Sequence, residues 1–158
     1  MKDLIVVFSY SHGNTVRIAK MIQKHTGADF KQIHTLEPYS DDYDAVVDQG
    51  LTEVKQGYEP EIEDISIEGY DRIFLGTPTW WYTMAPAMKT FIHHHDFKDK
   101  TVVPFMTHGG WPGKVIKDMK KELKGAVIPA SIEVQFDSQG GDNLVTSIDT
   151  INNWIENL

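Results

Sequence analysis

Three short segments hold the side chains of this chain that could do chemistry. The first, Ser9-Tyr10-Ser11-His12-Gly13-Asn14-Thr15, combines hydroxyls, an amide and a Gly, with no Lys or Arg. It follows a continuous apolar run over residues 4–8 and precedes Val16, Ile18, Ala19 and Ile22 at helical spacing. A buried strand, a polar turn and a helix start, in that order, aim backbone N–H groups and hydroxyls at the positive end of a helix dipole, which makes a phosphate site. The P-loop signature of nucleotide triphosphatases and the Gly-x-Gly-x-x-Gly fingerprint of dinucleotide folds are both absent. The second segment, Gly76-Thr77-Pro78-Thr79-Trp80-Trp81-Tyr82-Thr83, places two Trp and a Tyr at a strand end. Indole faces suit a planar ligand, and at least one of the three aromatics is expected to plug the core beneath the next helix. The third, Thr107-His108-Gly109-Gly110-Trp111-Pro112-Gly113, allows close backbone approach to a ligand and adds another indole.

The elements that must position these segments follow from apolar patterning. Strands are predicted over residues 4–8, 73–75, 101–106 and 126–132, each short and continuously apolar, as in a parallel sheet covered on both faces. A more polar run, 29–34, reads as an edge strand. Helical stripes lie between them: Tyr43, Val46, Val47, Leu51 and Val54; Met84, Met88, Phe91 and Ile92; Val115, Ile116, Met119 and Leu123; and Leu144, Ile148, Ile151, Ile155 and Leu158, with Asp142 and Asn143 as cap candidates. The alternation predicts one α/β domain over residues 1–158, a three-layer sandwich with a five-stranded parallel sheet in the order 2-1-3-4-5. In such a sheet the loops after strands one, three and four meet at one cleft beyond the carboxyl ends of the strands.

Composition narrows the ligand. A formal charge of −8 disfavours nucleic acid and would steer a basic protein partner. There is no Cys, so disulfides, thiol catalysis and Cys-bound metals are excluded. No apolar run is long enough to span a bilayer and the N-terminus lacks the pattern of a signal peptide, so a cytoplasmic protein without a membrane role is expected. His93-His94-His95 does not form a metal site, because consecutive helical side chains diverge by about 100°; these residues suit a helix C-terminus. A phosphate loop, an aromatic loop and a Gly-rich loop at one cleft describe a ligand with a phosphate at one end and a flat heterocycle at the other. FMN fits that description.

On these residues the chain resembles flavodoxins and the wider flavodoxin-like FMN proteins. Residues 9–15 resemble the family's Ser/Thr-x-Ser/Thr-Gly-Asn-Thr phosphate loop. Leu75-Gly76-Thr77-Pro78-Thr79-Trp80-Trp81 resembles its Gly-Ser/Thr-Pro-x-Trp-Trp loop, and Thr107-His108-Gly109-Gly110 resembles its loop over the flavin ring. The resemblance implies that Ser9, Ser11, Gly13, Asn14 and Thr15 bind the FMN phosphate. It implies that Thr77, Pro78, Thr79 and Trp80 line the ribityl chain and one ring face, and that Thr107 to Gly110 meet the polar ring edge. Trp81 and Trp111 complete the aromatic walls. His12 lengthens the phosphate loop by one residue: either the loop bulges or one hydroxyl leaves the phosphate, and His12 is itself a possible donor. Relatives also carry Gly near the second loop, where a peptide flip meets the reduced ring. Trp80-Trp81-Tyr82-Thr83 has none, so positive φ there is expected to be costly.

The implied function is a low-potential electron carrier with no catalytic residue and no metal, working as a monomer or weak dimer with redox partner proteins. A second reading is an FMN-dependent NAD(P)H or quinone reductase, with Trp81, Tyr82 and Trp111 lining a substrate pocket and His108 polarising a carbonyl. A third is an interaction protein on the same fold that has lost FMN.

Overall fold

The computed structural model describes residues 2–10 and 13–158. Among the described residues, six strands and five helices follow one another as β1 (Asp3–Val7), α1 (Asn14–Thr26), β2 (Asp29–Gln32), α2 (Tyr43–Gln56), β3 (Arg72–Trp80), β4 (Thr83–Met84), α3 (Pro86–His93), β5 (Thr101–His108), α4 (Val115–Glu122), β6 (Ile132–Gln135) and α5 (Ile148–Glu156). The sheet order is β2-β1-β3-β5-β6, all parallel, with the short β4 turned back antiparallel on β3. Leaving out β4, this is the expected 2-1-3-4-5 arrangement.

Alternation of side chains along each strand splits the interior into two layers. Leu4, Val6, Ile73, Leu75, Val102 and Met106 face Met88, Phe91, Met119 and Leu123. Ile5, Val7, Phe74, Val103, Phe105 and Val134 face Ile18, Ala19 and Ile22 of α1 and Ile151 and Ile155 of α5. The central strands meet without a gap at Gly76, where an added Cβ would stand 2.2 Å from the Phe105 ring. At the opposite end of the sheet, Asp3 and Arg72 on adjacent strands form a two-pronged pair of 3.1 and 2.6 Å.

Several element boundaries depart from the sequence reading for physical reasons. The apolar run 126–132 is not one strand. Val127 makes an isolated parallel bridge to Thr101, and regular pairing resumes only when Ile132 meets Phe105. Pro129 lies between them and has no N–H to donate. The sheet therefore reaches Gln135, further along the chain than expected. The final helix starts at Ile148, capped by Ser147, whose Oγ accepts from the Thr150 N–H at 3.1 Å. Asp142 and Asn143 do not cap it, and Leu144 bridges Phe136. Met84 belongs to β4 rather than to a helix, although it remains buried. In α2 the buried positions are Val46, Gly50 and Glu53, while Tyr43 stands exposed.

His93 ends α3 as expected, but it does more than sit at a helix terminus. Its Nδ1 lies 2.8 Å from Glu59 and its Nε2 2.7 Å from Glu122, tying the segment after α2 to α3 and α4. Each nitrogen serves a different carboxylate. The hydrogen bond to Glu122 is the largest cause and raises the His93 pKa above the ordinary histidine value; burial, next in size, opposes it, and the hydrogen bond to Glu59 and the two carboxylate charges add to the rise. A raised folded-state pKa contributes stability that is fully present below the unfolded value of 6.5 and is lost as pH rises through the folded value. The stability deficit of His93→Gln should therefore be largest at about pH 5.5 and shrink toward about pH 9, as measured by urea unfolding at each pH.

Candidate functional site

The cleft at the carboxyl ends of β1, β3 and β5 begins at the start of α1. Gly13 occupies the N-cap at φ 72°, a conformation Gly adopts without a side-chain penalty. Among the described residues no side chain caps this helix, and no acidic residue lies in its first turn. Its free N–H groups and positive dipole end are therefore available to an anion. Two polar atoms of this segment, Ser9 Oγ and Asn14 Oδ1, are buried without a partner among the described residues; Asn14 lines the cavity described next and Ser9 does not. Buried polar atoms are rarely left so: the Ser9 hydroxyl can donate to a phosphate oxygen, whereas Asn14 Oδ1 only accepts and would take a hydroxyl or N–H of a ligand. Asn14 is oriented by its amide nitrogen, which donates to the Gly141 carbonyl at 2.9 Å. Buried Thr15 shares a 2.8 Å hydrogen bond with the Thr107 hydroxyl, joining the first loop to the end of β5. Ser11 and His12 lie outside the described residues.

From this end a cavity of about 290 Å³ runs past Pro78, Thr79 and Thr107 to Trp80, Trp81, His108 and Gly109. A shallower groove of about 210 Å³ shares Thr79, Trp81 and Gly109 with it and ends on Tyr82 and Trp111. Trp80 packs inward against α2 and the segment after β2, whereas the sequence predicts an aromatic beneath the next helix: its ring meets Phe8, Tyr10 and Tyr39 edge-on at 5.6, 6.2 and 5.0 Å, while another part of it faces the cavity. Trp111 is 60 % exposed and Tyr82 58 %. Thr77 is fully buried and does not line the cavity; its Oγ1 accepts from the Ala85 N–H at 3.0 Å and donates to the Pro78 carbonyl at 2.9 Å. Gly110 is also outside the lining, and its N–H donates to His108 Nδ1 at 3.0 Å. That bond places the His108 proton on Nε2. Burial lowers the His108 pKa, against a smaller opposing effect of Glu133, so the ring is a neutral donor at pH 7.

Two walls of the cavity lie outside the three loops. One is α2, through Tyr43, Val46, Val47 and Gly50. The other is the segment after β6, through Asp137, Gly140 and Gly141. The Asp137 carboxylate accepts from the N–H groups of Gln139, Gly141 and Asn143 at 2.9–3.0 Å, and these bonds, Asn143 first, lower its pKa. The turn-rich run 137–143 was the available signal for this wall. It becomes a cleft loop only once the last strand is seen to end at Gln135.

The aromatic loop contains a departure from expectation. Trp80 pairs with Thr83, so Trp81 and Tyr82 form a two-residue hairpin turn with φ of 50° and 69°. Such turns ordinarily use Asn-Gly. The positive φ that seemed too costly for this segment is present at both residues, because the turn is clamped from outside. The Lys114 N–H donates to the Tyr82 carbonyl at 2.7 Å, and Trp81 Nε1 donates to the Val47 carbonyl at 2.8 Å. Gly113, at φ 58°, lies so close that a Cβ there would stand 2.3 Å from the Tyr82 oxygen.

A helix start without a described cap, joined by one cleft to an indole-walled groove on a doubly wound parallel sheet, has the chemistry to suit a phosphorylated planar ligand. Comparison with known proteins gives the family. The family model described as Flavodoxin matches residues 2–158, and the chain belongs to that family. Flavodoxin 1 of Salmonella typhimurium is 32 % identical over 77 residues, a match spanning 49 % of this chain and 31 % of that protein's length. A candidate flavoprotein from Bacteroides eggerthii superposes with a TM-score of 0.78 at 27 % identity, covering 98 % of this chain and 96 % of the other. A Lactobacillus acidophilus flavoprotein solved in complex with FMN has the same fold, with a TM-score of 0.72 at 22 % identity over 84 % of this chain and 92 % of its own. Among the described residues, no helix is long and apolar enough to cross a membrane.

Left-handed backbone at a non-Gly residue costs about 1–2 kcal/mol. Tyr82→Gly should therefore raise the unfolding free energy by about 1 kcal/mol in urea titrations, since this exposed side chain contributes little packing.

Proposed function

We propose that this chain binds FMN in the cleft and acts as a low-potential electron-transfer protein. The observation that carries the reading is the pairing of two ends of one cleft. At one end the cavity meets Asn14 at the start of α1, a helix start with no cap among the described residues and preceded by the Ser9 hydroxyl, which has no partner among them; indole walls lie at the other end. Family membership supports it, as does the FMN bound by the Lactobacillus acidophilus protein. Ser9, Gly13, Asn14 and Thr15 would hold the phosphate, with Ser11 and His12 of the same loop as further candidates. Pro78, Thr79 and Thr107 would face the ribityl chain. Trp80, Trp81 and Trp111 would bound the ring, with His108 and Gly109 at its polar edge.

Bound FMN supplies one- and two-electron redox chemistry. The chain's part is to set the environment. Indole walls would replace part of the water around the ring with apolar surface, so added negative charge there would be less well solvated. The protein's net charge of −8 opposes it further. Both effects favour a low potential. The same field would steer a basic redox partner, and the acidic segment with Glu59, Glu61, Glu63, Asp64 and Glu68 is the natural place for it to act. The second reading, an NAD(P)H or quinone reductase, draws on the open groove at Tyr82 and Trp111, where a second planar molecule could enter.

Reconstitution with FMN followed by stepwise reduction tests these readings. A carrier shows uptake of FMN and reduction resolved into one-electron steps. Rapid direct bleaching by NAD(P)H points to the reductase instead, and no FMN uptake at all overturns both. Asn14→Ala should weaken FMN binding roughly tenfold in a fluorescence titration and have a smaller effect on riboflavin, which lacks the phosphate.

A further inference from the structure

Glu53 is an anomaly on α2. It occupies the buried face of an amphipathic helix, one turn after Gly50, and is only 7 % exposed. A carboxylate in such a place is unfavourable unless its oxygens are satisfied. Here Oε1 accepts from the Tyr39 hydroxyl and Oε2 from the Gln49 amide, each at 2.7 Å. Among the described residues it forms no ion pair. A Leu at this position would fit the helix pattern without any of these requirements.

We infer that Glu53 is a positioning residue for the cofactor cleft, acting through Tyr39 on Trp80. Tyr39 is half-buried, and its ring meets Trp80 edge-on at 5.0 Å and Phe8 at 6.2 Å. The Tyr39 hydroxyl is tied to a buried carboxylate. Burial, then the hydrogen bond to Glu53, push the phenol pKa far up, so the hydroxyl remains a donor at every physiological pH. The same helix touches Trp80 directly one turn earlier, where a Cβ on Gly50 would stand 3.2 Å from the indole. Trp80 is thus held by α2 at one point and by the Tyr39–Glu53 bond at another, and it presents its remaining surface to the cavity. Glu53 also puts a negative charge behind that wall, where low polarity lets the charge act on the ring site.

The inference rests on the FMN reading for its redox consequence but not for its structural one, and the test separates them. Two variants are compared, Tyr39→Phe and Glu53→Gln. In FMN-free protein the readout is the Trp80 indole N–H resonance; in FMN-loaded protein it is the FMN dissociation constant and the midpoint potential. Tyr39→Phe removes the tether, so the Trp80 resonance should move and FMN binding weaken roughly tenfold. Glu53→Gln keeps an acceptor for Tyr39 while removing the charge, so the resonance should stay and the midpoint potential should rise. A Trp80 resonance unmoved by Tyr39→Phe overturns the positioning role, whether or not the protein takes up FMN. A midpoint potential unchanged in Glu53→Gln overturns the electrostatic role. Should Tyr39→Phe fold poorly, Glu53→Leu, which also leaves Tyr39 without an acceptor, gives the same readout of Trp80.

Discussion

The pairing of β3 with both neighbours is the constraint from which the cleft follows. Val7 stands opposite Gly76, and Thr77 and Pro78 stand opposite Met106 and Thr107. The Phe8 N–H extends the first ladder by donating to the Gly76 carbonyl at 3.0 Å. Because parallel register is fixed by two buried faces, a shift by one residue would turn every apolar side chain to the wrong layer. The register thereby brings residues 9–10, 13–15, 77–82 and 107–111 to the same end of the sheet. Gly76 permits it, since the Phe105 ring fills the space a side chain would need.

Beyond the sheet, the cleft depends on polar atoms that serve the backbone rather than a ligand. Thr77 and Thr79 are both hydroxyl residues in one loop, yet they do different work. Thr77 is spent on the bend into α3, whereas Thr79 donates to the Thr107 carbonyl at 3.0 Å while lining the cavity. Asp137 ties down three N–H groups of the loop that forms the far wall. The strained Trp81–Tyr82 turn is stable for the same reason, with partners on α2 and before α4 fixing what the turn alone would not favour.

Much of this was legible in the sequence because burial on both faces leaves a plain signature. The runs at 4–8, 73–75 and 101–106 are continuous apolar strings, and each is a central strand. The start of α1 at the cleft was legible because a strand, a Gly-containing polar turn and a helix stripe occur in immediate succession. What was not legible depends on tertiary partners. The stripe through Tyr43 and Leu51 looks like a core face, but the helix turns so that Gly50 and Glu53 face inward: Gly50 lies against Trp80, where an added Cβ would be tight at 3.2 Å, and Tyr39 supplies a donor for the carboxylate. The last strand was misplaced because hydropathy does not register the missing N–H of Pro129. With it went the wall formed by Asp137, Gly140 and Gly141.

That interrupted strand bears on how the molecule meets its own copies. Both margins of the sheet are short: β2 and β6 have four residues each, β2 alternates exposed with half-buried side chains, and the approach to β6 is broken at Pro129. Long flat margins recruit further strands from other chains, and short or proline-broken ones do not. A chain that must leave Trp111 and Tyr82 in water therefore presents a sticky cleft mouth on a body with poorly templating edges, which directs self-contact away from open-ended strand addition.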